Sequence, residues 1–461
     1  MSSDYLEFLK NKSFQFSESG FDVRADELPE YLFPFQRAIV KWALRRGKAA
    51  IFADTGLGKT FMQLSWAWEV FQRSGNRVLI LAPLCVAPQT ISEAEKLGIP
   101  LQYVRDFESI MKSPNNTGLF ITNYENLDKF PLNTGYFDGI VLDESSIIKH
   151  KDSKTRNKII ESTKGIPYRL SCTATPSPND FMELGNQAEF LGIMRMTEML
   201  SMFFIHDSGE TSKWRLKGHG RKKFWEWLAT WSMFIKRPSD IGFSDDGYVL
   251  PELNIKDVVV ETGLNVDAST TLSGRNAARK LTIDHRVEAC ARLVNSDKDQ
   301  WIVWCHLNEE SEKLENRIEG SVQVYGSMKA EEKEREILSF TNGETRVLVT
   351  KPSIAGFGLN WQHCHKMAFV GLNDSFEEIY QAIRRCYRFG QKRTVEVAMI
   401  TSDAQGAVSD NIKEKERKAS EMSSEMVKLM RTTLEREIRS LKNEKTDYEP
   451  KGELEVPGWL H

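Results

Sequence analysis

Short apolar runs alternate along this chain with longer segments in which apolar residues recur every three or four positions. The runs predict strands buried on both faces, the longer segments predict amphipathic helices over them, and the alternation predicts parallel α/β units. In the N-terminal half the strand candidates are 49–53, 77–82, 118–122, 139–143 and 168–172. In the C-terminal half they are 254–261, 300–306, 321–325, 345–350, 365–371 and 394–401. Two such series predict an α/β protein with two tandem parallel-sheet domains. Between them, 190–250 is rich in Met, Trp and Phe and reads as a helical or irregular insert; Trp225, Trp227 and Trp231, at near-helical spacing, are expected in a core. Further on, Met422, Met426, Leu429, Leu434, Ile438 and Leu441 form one apolar stripe of a charged C-terminal helix. That helix is expected to pack on the second domain, with a protein partner along the stripe as the other reading. The expected divisions are an N-terminal extension 1–30, a first domain 31–189, the insert 190–250, a second domain 251–405, and the helix and tail 406–461.

Composition narrows the class. At 461 residues, 40% hydrophobic and 28% charged, the chain is neither disordered nor a membrane protein. Its longest apolar stretch, 78–87, is broken by Pro83 and falls short of the ~20 residues a bilayer requires. The start, MSSDYLEFLKNKSF, has acids and no apolar core, so no signal peptide is expected and the location expected is cytoplasmic. Six cysteines without a C-x-x-C pair argue against a disulfide framework or a zinc ribbon, and His363-Cys364-His365 lacks a second ligand pair. A net charge of −3 argues at first against nucleic acid. Segment 211–223, with six Lys/Arg and no acid, argues the other way: it is either a solvated loop or a run of phosphate contacts.

The chemistry begins at Ala53-Asp-Thr55-Gly56-Leu-Gly58-Lys59-Thr60, between an apolar strand and a helical pattern. Thr55, Gly56 and Gly58 would let backbone N–H groups curl around phosphates at a helix N-terminus. Lys59 can reach the terminal phosphates, and the Thr60 hydroxyl can ligate Mg²⁺. The strand 139–143 ends on Asp143-Glu144. Asp143 is the second candidate metal ligand and Glu144 the candidate general base for an attacking water. Near the far end of the chain, Gln381, Arg385 and Arg388 fall at i, i+4 and i+7, one face of a helix, where guanidinium groups could stabilise a transferring phosphoryl group. ATP with Mg²⁺ is the implied cofactor pair.

These pieces resemble the motor core of helicase superfamily two and, within it, the Swi/Snf-type double-stranded-DNA translocases, collinearly over about residues 31–403. Leu32-Phe-Pro-Phe-Gln36-Arg37 is similar to the family's motif whose glutamine reads adenine. Val78–Pro83 and Ile121–Glu125 look like its first-domain segments that contact the DNA backbone. Asp143-Glu144-Ser145-Ser146 resembles its D-E-A-H box with serine for histidine, and Ser171–Pro176 its domain-coupling motif. Trp301–Cys305 and Val324–Ser327 resemble early second-domain motifs. Ala355-Gly-Phe-Gly358-Leu-Asn360 resembles A-G-G-x-G-L-N-L, and Gln381–Gln391 resembles Q-A-x-x-R-x-x-R-x-G-Q. The compact chain is similar to those of phages and mobile elements, which would put it in a host cytoplasm. The resemblance implies two RecA-like domains, Gln36 on the adenine, Gly358 in the nucleotide site, and ATP-driven movement on nucleic acid, duplex DNA first, through backbone contacts. It leaves three alternatives open: a strand-separating helicase of the same fold, an ATP-gated binding scaffold that does not turn over, and a motor subunit of a larger complex.

Overall fold

The computed structural model describes residues 19–438 except 25, 85, 113–117, 150–152, 178–179, 208–209, 264–276, 278, 356–359, 372–374, 404–416, 418–420, 422–423 and 437. Two parallel sheets carry the molecule. The first has seven strands: β1 (Lys48–Ala53), β2 (Arg77–Ala82), β3 (Leu101–Tyr103), β4 (Leu119–Asn123), β5 (Phe137–Asp143), β6 (Tyr168–Cys172) and β9 (Ser232–Ile235), in the order β3-β4-β2-β5-β6-β1-β9. A separate antiparallel hairpin, β7 (Phe204–Asp207) with β8 (Glu210–Leu216), lies between β6 and β9 in the chain. The second sheet has six strands, β10 (Leu253–Val260), β11 (Trp301–Cys305), β12 (Ser321–Val324), β13 (Val347–Thr350), β14 (Lys366–Val370) and β15 (Val395–Ser402), in the order β10-β15-β14-β11-β13-β12. Every pairing within the two large sheets is parallel.

The expected strands all form. The central ones are buried along their whole length because helices cover both faces, which is why they read as unbroken apolar runs. Three-residue β3 and the strands of 190–250 were not among the expectations, being too short or too aromatic for their period to separate strand from helix. The insert also does more than connect. The Arg221–Trp231 helix buries Phe224, Trp225, Trp227 and Trp231 in the first domain's core, with Trp231 edge-on to Phe52 of β1, 6.2 Å between centroids. β9 follows at once and pairs with β1 in the register Ala50↔Ser232, so part of the insert is an edge strand of the first sheet.

The C-terminal helix departs from expectation. Met426, Met430, Leu434 and Ile438 are buried in the first domain's core and not in the second's, while Leu429 is 40% exposed. A strict four-residue step keeps the buried set on one stripe, which Met430 joins and Leu429 leaves. Arg221 pairs with Glu425, and Lys236 donates to Ser424, tying the helix to the insert. The stripe expected to be able to receive a partner is thus occupied by the chain's own first domain; Met422 and Leu441 lie outside the described residues. Among the described residues no helix is long and apolar enough to cross a membrane.

Candidate nucleotide site in the interdomain cleft

The phosphate loop leaves the carboxyl end of β1, where open parallel sheets place their ligands. Gly56 (φ +89°) and Gly58 (φ +78°) take left-handed conformations that a side chain would strain, and Gly58 caps the Lys59–Ser74 helix. A Cβ at position 58 would also lie 2.3 Å from Gln36 Nε2. Gln36, 2% exposed, donates from Nε2 to Leu57 O (2.9 Å) and accepts the Phe33 N–H (2.9 Å), binding its own helix start to the loop. Thr55 donates its N–H to Asp54 Oδ1 at 2.7 Å. Lys59 Nζ donates to Ala53 O at 2.8 Å; burial pushes its pKa down, while Glu144, Asp54 and Asp143 oppose that shift.

Asp143 ends β5 and is 5% exposed; burial, reinforced by the adjacent Glu144, pushes its carboxyl up to about 7. Glu144 has φ +51°, the sole non-glycine among the described residues in the left-handed region. Its N–H donates to Asp143 Oδ1 (3.1 Å), and Thr173 Oγ1 lies 3.5 Å from Glu144 Oε2. A strained residue held this way marks a function more often than an accident. Behind the acids, Ser171 Oγ lies 2.8 Å from Ser145 Oγ and 2.5 Å from Gln187 Oε1, and Gln187 Nε2 donates to Ser145 O (3.0 Å). Ser146, where the resemblance has histidine, is 8% exposed.

The opposite wall belongs to the second domain. The Phe376–Ile383 helix carries Gln381 and stops two residues before Arg385, so the expected single helical face holds only in part. Arg385 Nε donates to Gln381 O (2.9 Å) and Nη2 to Gln381 Oε1 (3.1 Å); Gln381 is fully buried and serves to hold Arg385. Arg388 reaches the cleft from the turn beyond. Burial, with Arg388 alongside, pushes Arg385 down to about 10, and burial lowers Arg388, so both keep their charge at neutral pH. Thr55, Gly56, Gly58, Lys59, Thr60, Asp143, Glu144, Arg385 and Arg388 all line one cavity of about 90 Å³. Of the expected site residues, Gln36 and Gln381 stand behind this wall, and Gly358 lies outside the described residues.

Four contacts that the sequence did not signal join the walls. Arg384 Nη2 donates to Asp54 Oδ2 (2.8 Å) and Tyr380 Oη to Asp54 Oδ1 (2.5 Å). Lys149 pairs with Glu377, and Thr175 Oγ1 donates to Glu377 Oε1 (3.3 Å). The helical spacing of 377, 380 and 384 was available as a signal, but one face of a helix says nothing about which domain it meets.

The basic segment is partly spent on structure. Lys217 Nζ donates to Ser201 O (2.7 Å) and Met202 O (3.1 Å), and Arg221 pairs with Glu425. Arg215 and Lys223 are exposed. No group of three His, Cys, Asp or Glu that could hold a metal occurs among the described residues. Buried Asp143 and half-buried Glu144 stand together near Lys59, and the Asp143 carboxylate with the Thr60 hydroxyl is a donor set of the kind that shares Mg²⁺ with substrate phosphates.

The model of the DEAD/DEAH box helicase family matches residues 33–184, and that of the helicase conserved C-terminal domain matches 285–390. Among curated proteins none matches the chain. Among solved structures it is similar to S. cerevisiae Dbp5 bound to RNA and ADP BeF3, at 13% identity and a TM-score of 0.55, over 88% of this chain and 99% of that one. It is also similar to the Sulfolobus solfataricus SWI2/SNF2 ATPase core in complex with dsDNA, at 18% identity and a TM-score of 0.43, over 92% of this chain and 99% of that one. The likeness to Dbp5 shows the fold: two tandem RecA-like domains.

Proposed function

Since this chain carries both helicase domains and is an ATP-hydrolysing nucleic-acid motor of the superfamily-two type, we propose that its track is duplex DNA and that it translocates without needing to separate the strands. The carrying observation is that Arg385 and Arg388 of one domain line the same cavity as Lys59, Thr60, Asp143 and Glu144 of the other. Hydrolysis therefore needs both domains in contact. The cavity lies between the two walls, so a nucleotide bound there touches both domains. Lys59 then meets the β- and γ-phosphates, and the loop N–H groups cradle them. Thr60 and Asp143 would hold Mg²⁺, which when bound neutralises phosphate charge. Glu144 accepts a proton from the attacking water, and Arg385 and Arg388 stabilise the charge on the transferring group. Gln36, close behind the loop, is our adenine contact. Closing on ATP and parting after hydrolysis changes the spacing of two DNA-gripping surfaces once per cycle.

The Swi/Snf-like string Gln381–Gln391 supports the duplex reading, and exposed Arg215 and Lys223 supply phosphate contacts of a sequence-independent kind. The test sets ATPase rates on duplex DNA, single-stranded DNA and RNA side by side with triplex displacement and forked-duplex unwinding. Stimulation greatest on duplex DNA, with triplex displacement and no unwinding, is expected. Preference for RNA, or unwinding of simple forks, would overturn the duplex-translocase reading.

A further inference from the structure

Arg384 stands beside the two cleft arginines but does not line their cavity; it lines the neighbouring one with Asp54 and Tyr387. Its guanidinium lies over the rings of Tyr380 (5.1 Å) and Tyr387 (5.2 Å) and ends on Asp54, with the Asp54 and Arg384 side chains only 15% and 14% exposed. Asp54 is itself part of the loop that must hold phosphate. One carboxylate oxygen takes the Thr55 N–H and the Tyr380 hydroxyl, the other takes Arg384, and Lys59 Nζ is 3.4 Å from its carbonyl. One turn earlier on the same helix face, Glu377 reaches Lys149 and Thr175. Positions 377, 380 and 384 follow the +3, +4 step that puts side chains on one stripe, and Gln381 and Arg385 fall on the next.

We propose that Asp54, Tyr380 and Arg384 form the cross-domain contact that seats the Phe376–Ile383 helix on the phosphate loop, making Arg384 a positioning residue for Arg385 and Arg388. The inference rests on the ATP-site reading above and names what sets the arginines' distance from the reacting phosphate. A planar guanidinium held against two tyrosine rings and paired with a carboxylate constrains both the angle and the height of a helix end. The same carboxylate orients the loop, so a loop reshaped by nucleotide pulls directly on the helix that carries the arginines. Without Arg384 the helix keeps its fold but loses its register on the loop, and a displacement of about 1 Å can cost on the order of 10² in rate.

The test compares the full chain with Arg384→Ala, Arg384→Lys, Asp54→Asn and the Asp54→Asn/Arg384→Ala double variant. The readouts are kcat and KM for ATP with duplex DNA, equilibrium binding of a fluorescent non-hydrolysable ATP analogue, and thermal melting. Arg384→Ala is expected to lower kcat by about tenfold or more and to leave analogue affinity within about threefold, because only catalytic placement is lost. Arg384→Lys keeps the ion pair without the fork and is expected to fall between. The double variant is expected to be no slower than the slower single one, since both remove the same contact. Unchanged kcat in Arg384→Ala, or losses that multiply in the double variant, would overturn the proposal. Should Arg384→Ala melt below the assay temperature, the Lys and Asn variants carry the same comparison. Lys59→Ala with undiminished turnover would overturn the ATP-site reading itself; an inert Lys59→Ala beside an unaffected Arg384→Ala sinks the positioning role alone.

Discussion

Gly56 of the phosphate loop lies so close to the second domain that a Cβ there would stand 2.8 Å from the Phe389 nitrogen and 3.3 Å from its Cβ. The glycine is therefore needed twice: for its left-handed φ of +89°, and for the approach of the segment that carries Arg388. Gly56→Ala is expected to lower DNA-stimulated ATPase by about 10² or more, since the domains can no longer close to catalytic distance. The measurement is turnover at saturating ATP, with a thermal melt to check folding; a folded variant with normal turnover would contradict the closed arrangement.

The two walls of the cleft should separate by assay. Lys59→Ala and Glu144→Gln are each expected to abolish turnover, the first by losing phosphate contact and the second by losing the base. Arg388→Ala is expected to keep nucleotide binding and lose about 10³ in kcat, the size of an arginine-finger effect. Analogue binding measured beside single-turnover hydrolysis distinguishes them, and near-normal hydrolysis by Arg388→Ala would remove its assigned role.

The C-terminal helix should stabilise the first domain. Met430 is fully buried in that core, so Met430→Ala is expected to cost about 2–5 kcal/mol of stability. Two-domain chains can unfold in steps, so the sensitive readout is the transition that also releases the buried tryptophans of the insert, followed by fluorescence in denaturant. A midpoint unchanged from that of the unsubstituted chain would show that the helix contributes nothing there.

Acid should destabilise the second domain through its histidines. Burial lowers the pKa of His306, of His363 and of His365, where Arg393 adds to the effect and Asp299 opposes it. Each is held neutral in the folded state, so its contribution is fully present above the unfolded value near 6.5 and is lost as pH falls through the lower folded value. Among the described residues, buried His363 Nε2 and His365 Nδ1 have no hydrogen-bond partner, so a proton arriving there meets no acceptor among them. Calorimetric melting of the second domain is expected to fall as pH drops below about 6.5, with a smaller fall in His365→Gln. An identical pH profile for that variant would count against the account.

Much of the candidate site could be grouped from the sequence because it is local. Gly56, Gly58, Lys59 and Thr60 are adjacent in sequence and shaped by one strand–loop–helix turn, and Asp143-Glu144 end a single buried strand. Gln36 and Gln381 were expected at the site from their motifs, and the structure adds what each side chain holds: Leu57 O in one case, Arg385 in the other.

The sequence by itself determined the parallel α/β class, the two series of strands and the residues of the phosphate loop and acidic pair, since apolar period and short-range spacing are written along one dimension. Only the tertiary structure decided that the insert supplies an edge strand beside β1, that the C-terminal helix belongs to the first core, and that Asp54 meets Arg384. An apolar stripe records that a face is buried without recording against what, and a charge records its sign without its partner. Which surfaces meet across hundreds of residues of chain is settled by packing, and that is where the cleft is made.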